Sequence, residues 1–185
     1  MKIFGIDPGS QRTGYGCVET DGSRHRIVTC GAITSSALTP FADRLLTIHA
    51  RLTALLLECR PDAVAIENLF FATNVRSALK LGHARGVAML AAVEAGMPIV
   101  EYTPAEVKQA VVGYGRAEKS QVQSMIQLLL GLDTPPTPYD ASDALAIAIC
   151  HVHRLNVPGT AARDLPRGAR PVSRVTSWRA FRLPR

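Results

Sequence analysis

Three strand-like runs crowd into residues 2–34 before any helical period appears, and this order decides the fold class. Residues 2–7 (Lys-Ile-Phe-Gly-Ile-Asp) read as a strand closed by a Pro8-Gly9-Ser10 turn. Residues 13–20 and 25–34 read as two more, separated by Asp21-Gly22, a strong hairpin signal. The period then changes. Thr39-Pro40 reads as an N-cap followed by proline at the first helical position, and Phe41, Leu45, Ile48, Leu52 and Leu55 follow on one helical face. Residues 63–67 form a short apolar strand, 74–95 a long helix stopped at Gly96, and 98–101 another short strand. Thr103-Pro104-Ala105-Glu106 combines a capping box with an early proline, so a helix starts there. A Gly113-Tyr114-Gly115 loop leads to a helix at about 118–130, and a Pro-rich stretch at 135–138 precedes a last helix at 140–154. Three antiparallel strands followed by alternating helices and strands predict an α/β fold: a five-stranded mixed sheet flanked by helices.

The chain has 185 residues, enough for one domain with its own core. The net charge of +6 is unevenly placed. Residues 156–185 hold seven Arg, one Asp and four Pro, whereas residues 1–155 balance fourteen basic against fourteen acidic side chains. We therefore divide the chain into a neutral domain, 1–155, and a basic tail, 156–185, expected to be mostly disordered. The tail reads equally well as a salt-sensitive attractor for nucleic acid or as a solubilising segment. Cys17, Cys30, Cys59 and Cys150 fit neither a zinc knuckle nor a disulfide framework and read as reduced thiols, which points to the cytoplasm. The opening residues lack a signal-peptide core, and no apolar run is long enough to span a membrane.

Four carboxylates carry the functional argument. Asp7 and Glu67 each close a strand, and at the carboxyl ends of neighbouring parallel strands lies the usual place for chemistry. The residues sharing their faces, Ile3 and Gly5 for the first and Ala63 and Ala65 for the second, are mostly small. The last helix offers Ala141, Ala144 and Ala148 at helical spacing, a surface that approaches a sheet closely, and it carries Asp140 and Asp143 on one side. Convergence of Asp7, Glu67, Asp140 and Asp143 would give a site of mutually repelling carboxylates. Oxygen-only ligands select Mg²⁺ or Mn²⁺ over zinc, and two such ions can clamp an in-line displacement at a phosphate. Each acid also has an ordinary reading: Asp7 could merely cap its turn, and Asp140 a helix. Glu67 is harder to dismiss, since no Lys or Arg adjoins it in Glu67-Asn68-Leu69-Phe70-Phe71.

These motifs resemble the RuvC family of Holliday-junction resolvases. The resemblance runs in order through Met-Lys-Ile-Phe-Gly-Ile-Asp-Pro-Gly-Ser, Thr13-Gly14-Tyr15-Gly16, Ile66-Glu67-Asn68-Leu69-Phe70-Phe71-Ala72-Thr73-Asn74, Ala84-Arg85-Gly86, Ala117-Glu118-Lys119-Ser120 and Asp140-Ala141-Ser142-Asp143. It covers residue 1 to about 153; the tail is longer than in many members and matches nothing assigned. The resemblance implies an RNase H-like fold and a homodimeric endonuclease that uses two Mg²⁺ or Mn²⁺ ions per site. Such an enzyme nicks two strands of a four-way DNA junction symmetrically, leaving 5′-phosphate and 3′-hydroxyl ends, and works with the RuvA–RuvB branch-migration proteins. It places the family's four acids on Asp7, Glu67, Asp140 and Asp143, a phosphate-directed lysine on Lys119, and an aromatic against an unpaired base on Phe70.

Other candidates fit around that site. Lys108 and Arg116 are expected to hold phosphates, and Asn74, Arg76 and Lys80 to line a DNA groove, although exposed basic residues are ordinarily just solvated. Of Phe70 and Phe71, alternation sends one to the core and one outward. The long helix is apolar on more than one side (Leu79, Leu81, Ala84, Val87, Ala88, Leu90, Ala91), as a helix facing both its sheet and a second copy would be. His151-Val152-His153 lacks a third ligand nearby and reads as structural. An ATP-binding fold of the actin and sugar-kinase type shares an early Asp-x-Gly loop but needs a second lobe, for which the chain is too short. A non-catalytic junction-binding module would have no use for four gathered acids.

Overall fold

The computed structural model describes residues 1–68 and 74–155. The tail and the Phe70–Phe71 pair lie outside the described residues. Strand β1 (Lys2–Asp7) pairs antiparallel with β2 (Arg12–Thr20), which pairs antiparallel with β3 (His25–Thr34). After helix α1 (Phe41–Cys59), strand β4 (Ala63–Glu67) lies parallel to β1. Helix α2 (Val75–Glu94) crosses over to β5 (Ile99–Tyr102), parallel to β4. The sheet order is β3-β2-β1-β4-β5, followed by α3 (Pro104–Val112), α4 (Lys119–Leu129) and α5 (Tyr139–Leu155). This is the RNase H-like arrangement of a five-stranded mixed sheet with helices on both faces.

Period-two alternation sorts the central strands between two cores. Ile3, Ala63 and Ala65 face α3, α4 and α5, where they meet Val107, Ile126, Leu145 and Ile149. Phe4, Ile6, Val64 and Ile66 face α1 and α2, where they meet Ile48, Leu52, Leu56, Ala84 and Ala88. Helix α5 lies almost on the backbone of the sheet. A Cβ added at Gly5 would come 2.0 Å from the Ala144 carbonyl oxygen, and one at Gly14 would come 2.0 Å from that of Asp140. The small residues anticipated at this contact are required by it: Ala141, Ala144 and Ala148 are all fully buried.

Several boundaries differ from the sequence reading for identifiable reasons. Pro40, not Thr39, occupies the N-cap of α1, because its ψ of 143° is extended and helical geometry begins at Phe41. Phe41 and Leu45 are only half-buried, while Arg44 is buried. Its Nε donates to the Thr39 carbonyl at 2.8 Å and its Nη2 to that of Ala37 at 2.9 Å, so the guanidinium ties down the loop before the helix. Strand β5 starts one residue later than expected, since Pro98 has no N–H to give the ladder, and Tyr102 joins the strand opposite Glu67. The capping box at Thr103 is present, with Glu106 N–H donating to Thr103 Oγ1 and Thr103 N–H to the Glu106 carboxylate. All four cysteines are free thiols. Among the described residues no helix is long and apolar enough to cross a membrane.

Candidate active site

The parallel register of β1 and β4 matches Gly5 to Ala65 and Ile6 to Ile66, which brings Asp7 and Glu67 side by side at the strands' carboxyl ends. The turn after Asp7 is held by Thr13, a fully buried residue whose hydroxyl donates to the Gly9 carbonyl at 2.8 Å. Opposite these strands, α5 delivers Asp143 from its second turn. Asp7, Glu67 and Asp143 line one cleft of about 360 Å³ together with Lys108, Lys119, Pro104, Val107, Val122 and Ala146. The apolar members come from α3, α4 and α5, so the acids stand against a low-dielectric wall.

That wall and the crowding of like charges determine the site's electrostatics. Burial, then repulsion from Glu67, Asp143 and Asp140, pushes Asp7 from its ordinary 3.8 up to about 8, with Lys119 opposing. Burial and Asp143 raise Glu67 to about 7, opposed by Lys119, by a hydrogen bond with Asp7 and by Lys108. Lys119 is raised, first by Asp143, whose Oδ2 lies 3.4 Å from its Nζ. A cation stronger than one lysine would relieve this set, and its all-oxygen donors suit a hard divalent ion. Among the described residues no three His, Cys, Asp or Glu side chains are arranged so that they could together hold a metal ion. Asp143 leans on Lys119, and Asp140 on Arg12, whose Nη1 is 3.7 Å from Asp140 Oδ2. The fit is therefore one of donor chemistry and charge alone.

The structure gathers Asp7, Glu67, Asp143, Lys119 and Lys108 as anticipated. Asp140 stands at the rim, close enough for its charge to act on Asp7. Arg116 is exposed on the α3–α4 loop. Asn74, Arg76 and Lys80 occupy the exposed start of α2, outside the cleft's described lining. Asn74 also has a structural task, its Oδ1 accepting from the Arg76 N–H at 2.9 Å as the helix cap. Lys80 Nζ lies 5.9 Å from the centre of the Phe41 ring. His151 and His153 are structural: His151 Nδ1 is 2.7 Å from the Tyr102 hydroxyl, and His153 Nδ1 is 2.9 Å from the Ala110 carbonyl oxygen. Sequence reasoning missed Arg12, whose only mark was proximity to the Pro8-Gly9 turn, and gave Thr13 no role although it opens the Thr13-Gly14-Tyr15-Gly16 motif.

The family model described as crossover junction endodeoxyribonuclease RuvC matches residues 3–151. A crossover junction endodeoxyribonuclease RuvC from Pelobacter propionicus is 50% identical over 182 residues, 98% of this chain and 99% of that protein. That alignment runs on into the basic tail, which therefore has a counterpart in at least one relative. The RuvC of Syntrophotalea carbinolica is 56% identical over 153 residues, 83% of this chain and 94% of its own. The structure of Thermus thermophilus RuvC in complex with Holliday junction substrate superposes with a TM-score of 0.77 at 38% identity, covering 83% of this chain and 94% of that one. Architecture, acid placement and these likenesses agree, and the chain belongs to the RuvC family of crossover junction endodeoxyribonucleases.

Proposed function

We propose that this chain resolves four-way DNA junctions by metal-dependent hydrolysis of phosphodiesters. The observation that carries the reading is the meeting of Asp7, Glu67 and Asp143, from two parallel strands and a helix, around one cleft with Lys119. With Asp140 they would hold two Mg²⁺ or Mn²⁺ ions. When bound, such ions supply Lewis acidity at the phosphate and make a water nucleophilic near neutral pH. The protein's own contribution is positional. Asp7 and Glu67 sit on adjacent rigid strands, so their spacing is set by the sheet. Asp143 rides on a helix locked to β1 by the Gly5 contact. The walls formed by Pro104, Val107, Val122 and Ala146 keep bulk water from one side and strengthen each charge interaction within. Lys119 is largely exposed at the start of α4, so its ammonium can leave Asp143 for a phosphate oxygen and offset charge developing there. Lys108 stands on the same cleft and is placed to hold a phosphate.

Residues 1–155 act as the nuclease domain and the Arg-rich 156–185 segment as an added polyanion attractor. Two copies act together. A shallow groove on α2, lined by Ala78, Leu79, Gly82, His83, Val87 and Leu90, supports α2 as the face that meets the second copy. A two-fold dimer would match a two-fold substrate and give paired symmetric nicks with 5′-phosphate and 3′-hydroxyl ends. Phe70, three residues after Glu67 in sequence, is assigned to the junction centre, with Phe71, Asn74, Arg76, Lys80 and Arg116 as further DNA contacts. The resemblance adds RuvA–RuvB as partners and the cytoplasm as the compartment, which four free thiols suit.

The test is a synthetic four-way junction incubated with the protein and Mg²⁺ or Mn²⁺. Paired nicks at symmetric positions are expected, absent with EDTA and absent on linear duplex of the same sequence. Equal cutting of linear duplex, or cutting that survives EDTA, would overturn the reading.

A further inference from the structure

Each acid on α5 has its own cation. Lys119 holds Asp143, and Arg12 approaches Asp140 with Nη1 3.7 Å from Oδ2. The Arg12 side chain is 62% exposed and reaches this position from the first residue of β2. Two residues further along the same face, Gly14 packs against the backbone of Asp140, where a Cβ would lie 2.0 Å from the Asp140 carbonyl oxygen. The two backbones are thus pinned together, and only the Arg12 and Asp140 side chains are free to change partner. A guanidinium and a divalent ion compete for the same carboxylate, because each needs its oxygens and the two repel each other. Displaced from Asp140, an exposed guanidinium has one natural acceptor in a DNA complex, a phosphate, which it binds bidentately.

Resting on the nuclease reading above, we propose that Arg12 is the counter-cation of Asp140 before a divalent ion binds and transfers to a DNA phosphate when the ion takes Asp140, so that metal loading and junction binding are coupled through this one side chain. Linkage makes the coupling reciprocal: whatever the ion does for junction affinity through Arg12, the junction does for ion affinity. Arg12 is a positioning residue in the metal-free protein and a DNA contact in the loaded one.

The test uses full-length Arg12→Ala and Arg12→Lys proteins, with thermal melting to confirm an unchanged fold. Calorimetry with Mn²⁺ alone should show Arg12→Ala binding the ion about three- to fivefold tighter than wild type, the scale of one exposed ion pair removed. Binding of a synthetic four-way junction should be compared in Ca²⁺ and in EDTA. In Ca²⁺ the Ala variant should bind about fivefold more weakly, with a salt dependence reduced by about one counterion; in EDTA it should match wild type. Arg12→Lys should recover part of the Ca²⁺ affinity. Equal weakening in Ca²⁺ and EDTA would make Arg12 a plain phosphate contact and overturn the exchange. Unchanged Mn²⁺ affinity, or unchanged junction affinity in Ca²⁺, would overturn it too. If wild type bound no Mn²⁺, the reading of the acids would fall, and this inference with it.

Discussion

Asp7→Asn should make the metal-free protein more stable, although it removes a residue at the centre of the site. Asp7 is shifted from 3.8 to about 8, chiefly by burial and then by repulsion from Glu67, Asp143 and Asp140. A group whose folded-state pKa is raised contributes stability that is complete below its unfolded value and is lost as pH rises through the folded one. The penalty therefore grows between about pH 4 and pH 8. At about 1.4 kcal/mol per unit the full shift corresponds to on the order of 6 kcal/mol. Asparagine still has a buried amide to solvate, and the cleft is open to water, so roughly 2–3 kcal/mol is the expected recovery. For a chain of this size that raises Tm by about 4–12 °C. Thermal denaturation in EDTA should show the gain at pH 8.5 and none at pH 4, where Asp7 is protonated in wild type. Excess Mg²⁺ should reverse the order if, as proposed, Asp7 is one of the ion's ligands. A variant less stable than wild type at pH 8.5 in EDTA, or a gain equally large at pH 4, would refute the electrostatic account of the site.

Other expectations follow from individual contacts. Gly14→Ala places a Cβ 2.0 Å from the Asp140 carbonyl oxygen and should cost about 2–3 kcal/mol in denaturant unfolding while moving Asp140 and depressing cleavage. Thr13→Val removes the buried hydroxyl that bonds the Gly9 carbonyl and should lower stability by about 1–2 kcal/mol in urea melts, with slower cutting as the turn after Asp7 loosens. Lys119→Met should slow single-turnover cleavage about a hundredfold or more while leaving junction affinity within about threefold, because in the proposed mechanism the side chain would act on charge that develops during reaction.

Much of the fold was legible because the strands announce both their period and their environment. Ile3 and Phe4, adjacent in sequence, belong to opposite cores, as alternation requires of a strand covered on both sides. The pairing of Asp7 with Glu67 was conditional on β1 and β4 being parallel neighbours, which their register shows them to be, and the Ala141–Ala144–Ala148 stripe foretold the close approach that carries Asp143 to them. Arg44 was not legible, because a charged residue reads as solvent-facing until its two loop carbonyls are in place. Arg12 was missed for a related reason. Its partner Asp140 is distant in sequence, and their meeting depends on the docking of α5 against β2, which no local pattern encodes. The start of β5 shifted because the missing N–H of Pro98 outweighed the apolar pattern.

The central claim is that the three carboxylates of the cleft, Asp7, Glu67 and Asp143, and Asp140 at its rim serve cutting and not binding. Single-turnover cleavage and equilibrium binding of one synthetic four-way junction should be measured for Asp7→Asn, Glu67→Gln, Asp140→Asn and Asp143→Asn beside wild type. We predict that every variant loses cleavage by about a thousandfold or more while its junction Kd, measured in Ca²⁺, stays within about threefold. A variant at Asp7, Glu67, Asp140 or Asp143 that still cut at the wild-type rate would contradict the claim.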